Sequence, residues 1–133
     1  MKHALTLPAA ISIAVLVTLS ACTAKPEIPE QLPFATAGAS LTVTQVGTNC
    51  SANGVYSADV AWQVADTLAL KIEIQVGREG KVFARSNERI GSEATGEWVS
   101  PGSLFLLLDR DSKQLLAATP AGAGNCNGSA PAP

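Results

Sequence analysis

The chain has 133 residues, 47% of them apolar, with nine Lys/Arg against eleven Asp/Glu and one histidine, His3. The charges are mixed along the chain and form no basic run, so the phosphate-neutralising patches that nucleic acid binding needs are absent. The length admits one domain rather than two.

The first 21 residues differ from the rest. Met1-Lys2-His3 is a short positive start, and Ala4 to Leu19 is apolar apart from Thr6, Pro8, Ser12 and Thr18. A bilayer-spanning helix needs roughly 20 apolar residues; this run is shorter and carries a proline. A positive start, a short apolar stretch and small residues at the cut are the marks of an export signal. The closing Leu19-Ser20-Ala21-Cys22 resembles the bacterial lipobox. That resemblance covers only the first 23 residues, and it implies that Cys22 is lipidated and becomes the first residue of the mature chain. Two or more acyl chains would then hold the protein on a membrane without spanning it. By the lipoprotein sorting rule, Thr23 in place of aspartate implies the outer membrane in a host that has one.

The mature chain would be Cys22 to Pro133, 112 residues with a net charge of −3. Residues 22–39 carry Pro26, Pro29 and Pro33 among small and polar residues and read as an extended, semi-rigid spacer. Residues 40–126 read as the folded unit, and 127–133 as a loose tail. With Cys22 lipidated, Cys50 and Cys126 remain. An even pair in an exported protein is most simply a disulfide. Zinc competes poorly, because the mature chain has no histidine and two thiols do not fill a four-ligand site.

Strand signals follow in order. LTVTQV (41–46) is rich in β-branched residues, and TNCSANG (48–54) is a turn-rich connection. VYSADVAWQV (55–64) alternates, with Tyr56, Ala58, Val60, Trp62 and Val64 on one face. LALKIEIQV (68–76) is expected to place Leu68, Leu70, Ile72, Ile74 and Val76 inward and Lys71, Glu73 and Gln75 outward. GREG (77–80) is a hairpin turn into KVFARS (81–86). SEATGEWVS (92–100) is expected to put Ala94, Gly96 and Trp98 inward. LFLLL (104–108), apolar on both faces, suits a central strand. DRDSK (109–113) then turns the chain into QLLAAT (114–119).

These elements predict an all-β, immunoglobulin-like antiparallel β-sandwich of about seven strands. From Leu41 to Ala118 the wording ADVAWQV, IEIQVG, KVFARS, SEATGEWVSPGSLFLLLD and LLAA resembles the Ig-like or fibronectin-III-like modules of bacterial surface proteins. In such a module the connection holding Cys50 and the end of the last strand before Cys126 lie at one end, in keeping with the pairing. The spacer is expected to join at the opposite end. The disulfide end, with Arg78 and Glu79 as its most exposed charges, would then project as the partner-binding surface.

Candidate chemistry is sparse. Glu93 and Glu97 share a strand face without a pocket, and read as a solvated surface rather than a glycosidase pair. Asp109 and Asp111 have the first calcium-loop spacing, but the later glycine and glutamate are missing, so they read as a turn. Asn127-Gly128-Ser129 matches a glycosylation sequon in the tail. Trp62 and Trp98 read as core. No catalytic residues, metal ligands or cofactor are expected. The expectation is a non-enzymatic envelope module binding a protein or glycan. The alternative is a periplasmic inhibitor or immunity protein against a cell-wall hydrolase, its acidity suiting a basic target.

Overall fold

The computed structural model describes residues 25–126. The expected export signal, Cys22 with its expected lipidation, and the sequon match at 127–129 lie outside the described residues. Among the described residues eight strands form: β1 (Phe34–Ala35), β2 (Ala39–Gln45), β3 (Ala58–Val64), β4 (Ile72–Val76), β5 (Lys81–Ser86), β6 (Ile90–Ala94), β7 (Leu104–Asp109) and β8 (Leu115–Pro120). They build two antiparallel sheets, one ordered β1-β8-β7-β4-β5 and the other β2-β3-β6. The protein is an all-β sandwich. Its chain changes sheet between β1 and β2, β3 and β4, β5 and β6, and β6 and β7, so each sheet is assembled from strands distant in sequence.

Alternation accounts for the interior. In β3, Ala58, Val60, Trp62 and Val64 are buried, and Tyr56 continues the row just before the strand. Ile72 and Ile74 of β4, Phe105 and Leu107 of β7, and Leu116 and Ala117 of β8 face them from the other sheet. β7 is the middle strand of five and is buried on both faces from Leu104 to Leu108, as its uninterrupted apolar run requires.

Two expectations need correction here. Residues 65–71 are not strand: the chain is crossing between sheets, turning through the Leu68 N–H to Ala65 carbonyl bond, and Leu70 is left 71% exposed. Glu73 and Gln75 do point to the outer face, but that face is covered and both are buried. Leu104, Leu106, Leu108 and Ala118 form a second apolar cluster there, beneath Ile28, Leu32, Phe34 and Leu115. The Pro-rich segment is therefore not simply a spacer. From Ile28 onward it is strapped across the large sheet, and its end pairs with β8.

The strap also revises the direction of attachment. β1 runs antiparallel to β8, with Phe34 opposite Ala118 and Ala35 opposite Ala117. β8 runs toward the disulfide, so the chain enters β1 from the disulfide side rather than from the opposite end. The expected distal placement of that end does not follow.

Glu73 sits beside this cluster. Its carboxylate accepts from Arg85 Nε at 2.8 Å, Lys113 Nζ at 2.9 Å and Gln75 Nε2 at 2.9 Å. Arg85 is its cross-strand partner on β5, and Lys113 comes from the β7–β8 turn. The charge is thus matched where it is desolvated, as a buried carboxylate requires.

Cys50 and Cys126 are bonded, with their Cα atoms 5.0 Å apart. Three hydrogen bonds stitch the same tail independently. Gln45 Nε2 donates to the Asn125 carbonyl at 3.0 Å, Asn125 N–H to Gln45 Oε1 at 2.6 Å, and the Tyr56 hydroxyl to the Gly122 carbonyl at 2.6 Å. Constraining a loop of this length would stabilise by about 4 kcal/mol in the chain-entropy picture. Since the tail is also pinned without it, Cys50→Ala/Cys126→Ala is expected to lower stability by a few kcal/mol and leave the fold intact. Thiol titration before and after denaturation with reductant, followed by a urea titration of the variant, checks both halves. Free Cys50 or Cys126 thiol in the native protein, or an unfolded variant, would refute it.

Candidate functional site

The site is assembled at the disulfide end from a hairpin turn and an irregular loop. Gly77 and Gly80 take φ values of 78° and 76°, a region that costs other residues steric strain. They let the β4–β5 turn close, and they place Arg78 and Glu79 exposed at its tip. The register between β4 and β5 then slips at Ile74/Gln75, leaving Phe83 as the extra residue on β5. Phe83 lies half-buried against the core, while Lys81 and Val82 are exposed beside it.

The other wall comes from the β6–β7 loop. Thr95 is buried: its N–H donates to the Ala58 carbonyl at 2.8 Å and its hydroxyl oxygen accepts from Ala58 N–H at 2.8 Å. Val99 exchanges backbone bonds with Tyr56 at 2.9 and 3.0 Å. With both ends fastened, residues 96–98 project from the sandwich. The Trp98 N–H closes on the Gly96 carbonyl at 2.9 Å, and a Cβ at Gly96 would stand 3.0 Å from the indole Cδ1.

Trp98 is consequently not a core residue. It is 41% exposed, because β6 ends at Ala94 and the alternation expected across 92–100 stops there. One side of the indole is backed by the buried Phe105, stacked at 6.0 Å between centroids, and by Phe83, edge-on at 5.8 Å. Among the described residues its indole N–H donates to no protein group. Val76, Gly77, Glu79, Lys81, Val82, Phe83 and Trp98 together line a cleft of about 480 Å³. Its size and mostly apolar walls with a few polar groups are those of a small-ligand or anchor-residue site.

The other expected positions divide clearly. Glu79 lines the cleft and Arg78 stands next to it. Glu93 lies on β6 whereas Glu97 lies in the following loop, so the two do not share a strand face. Asp109 serves its own turn, its carboxylate accepting from Asp111 N–H and the Ser112 hydroxyl, each at 3.0 Å. Among the described residues no three Asp, Glu, His or Cys side chains are grouped to hold a metal ion. A wider cleft of about 640 Å³ at the opposite end is lined by Gln63, Asp66, Arg89 and Ile90. Those side chains are all exposed, and it has no aromatic wall. The aromatic cleft is the better-built site.

Sequence reasoning missed Trp98 as a surface group. The available signal was the pair Gly96 and Pro101-Gly102 flanking it, which makes a regular strand through Trp98 costly. Against family models, curated proteins and solved structures, the chain finds no match.

Proposed function

We propose that this chain is a lipid-anchored, non-enzymatic module of the bacterial cell envelope that binds a protein or glycan partner through its aromatic cleft. The lipobox-like LSAC at residues 19–22 supports the anchor and, with Thr23, placement at the outer membrane. The observation that carries the binding role is Trp98, held half-exposed on a buried aromatic base beside the Arg78–Glu79 turn. Leaving so much indole in water costs hydrophobic stabilisation that a purely structural tryptophan would recover by burial. Tryptophan and arginine are also the residue types that most often dominate binding energies.

The anchor and the binding surface are tested separately in the producing cell. Cys22→Ala is expected to abolish incorporation of labelled palmitate; persisting label refutes the anchor. Captured from envelope extract, the full chain is expected to lose its partner when Arg78→Glu and Glu79→Lys are combined, with an unchanged melting temperature. If only substitutions at Asp66 or Arg89 weaken capture, the opposite cleft is the binding end. Lysozyme inhibition measured on the same preparation separates an inhibitor from an assembly module.

A further inference from the structure

We infer that the aromatic cleft takes a neutral sugar ring, with the Trp98 face as the stacking platform. The inference rests on the binding role proposed above and names the ligand class. Three features of the cleft select it.

The first is shape. A flat indole face on a rigid aromatic base, flanked by Val76, Val82 and Phe83, offers an apolar surface suited to the C–H face of a pyranose. The second is the polar complement. Glu79 supplies acceptors, while Lys81 supplies donors. Hydroxyl groups both donate and accept, so one sugar can satisfy both. The third is charge. The lining holds one carboxylate and one ammonium, so an anionic ligand meets Glu79 and a cationic ligand meets Lys81. A ligand of single charge therefore gains no net attraction from the lining, whereas a neutral one meets no like-charge repulsion.

A peptide added as a strand is the less favoured occupant. The neighbouring edge strand β5 is interrupted by its bulge and carries Lys81 and Arg85, the devices by which sheet edges resist further pairing.

The test uses the full-length lipoprotein in a non-glycosidic detergent. Saturation-transfer NMR is run with chitotriose, cellotriose and maltotriose, beside a uronic-acid trimer and a glucosamine trimer as charged controls. At least one neutral trimer is expected to receive saturation, strongest on the protons of one ring face, and to bind better than either charged control. Trp98→Ala is expected to weaken it by at least about tenfold, roughly the loss of 1.4 kcal/mol. Trp98→Phe should restore part of the affinity. Melting temperatures of both variants show whether the fold is kept, and Lys81→Glu provides a second variant, at a cleft residue that takes no part in the ring–ring contacts, expected to weaken the neutral sugar.

No transfer to any neutral trimer, or transfer unchanged in both Trp98→Ala and Lys81→Glu, overturns the inference. So does preferential binding of a charged trimer. If sugars fail while capture of an envelope protein is still lost in Trp98→Ala, the ligand class is wrong and the binding role stands.

Discussion

Trp62→Ala is expected to lower the unfolding free energy by about 3–5 kcal/mol, the range for truncating a large aromatic in a packed interior. Trp62 lies at the centre of β3, the middle strand of the small sheet, with Leu41 opposite it on one side and Gly91 on the other. The ring lies directly over Gly91, where an added Cβ would come within 2.7 Å of Cζ2. Its indole N–H donates to the Glu88 carbonyl at 3.0 Å, tying the small sheet to the β5–β6 corner. Alanine would leave a cavity between the sheets and remove that bond. For a domain whose whole stability is about 5–15 kcal/mol, the loss is a large share. A urea titration of the variant measures it, and a change below about 1 kcal/mol would place the ring outside the cooperative core. The close approach gives an internal control. Gly91→Ala should itself cost about 1–3 kcal/mol by overpacking, and much less in a Trp62→Phe background, where the offending carbon is gone.

Trp62 and Trp98 show how far the sequence could be read. Around Trp62 the period-2 pattern is unbroken from Tyr56 to Val64, and strand, face and burial all follow from it. LFLLL was equally legible, since a run apolar on both faces has to be central. The two cysteines could be paired because antiparallel topology returns the chain to the same end. The pattern fails wherever the chain leaves a sheet. Leu70 sits in the crossing from β3 to β4, and Trp98 follows the end of β6, so alternation no longer assigns either one a face.

Glu73 and the strap failed for a different reason. Alternation tells which face a residue is on, not whether another segment lies over that face. The cover came from Ile28, Leu32 and Phe34, embedded among prolines that made the segment read as a linker. One signal was present. If LFLLL must be buried on both sides, something has to lie over the outer side, and the strand beside it will share that cover. The candidate cleft was half legible: GREG gave Arg78 and Glu79, while the aromatic wall depended on the Phe83 bulge and the loop around Gly96, neither of which has a periodic signature.

The second large expected effect is an acid-sensitive share of stability carried by Glu73. Burial by itself would raise the carboxyl above its ordinary 4.5, but the hydrogen bonds from Lys113, Arg85 and Gln75, with the charge of Lys113, outweigh it and hold the group at about 2. A folded-state value below the unfolded one means that the folded protein binds this proton less readily. The contribution is therefore complete above about pH 4.5 and is lost as pH falls toward 2. A displacement of this size corresponds to about 3 kcal/mol. The Arg85 and Lys113 side chains are 58% and 43% exposed, so solvent screens part of their attraction, and roughly 2–3 kcal/mol is the expected size. Glu73→Gln keeps the shape and an acceptor while removing the charge. Urea midpoints of both proteins between pH 7 and pH 2 should show the variant weaker by that amount at neutral pH, with the gap closing across the acid range. Subtracting the two curves isolates Glu73 from every other titrating group. A gap that stays constant down to pH 2 would mean that the carboxylate is held by packing alone, and that the two cations reaching over the sheet add nothing to its hold.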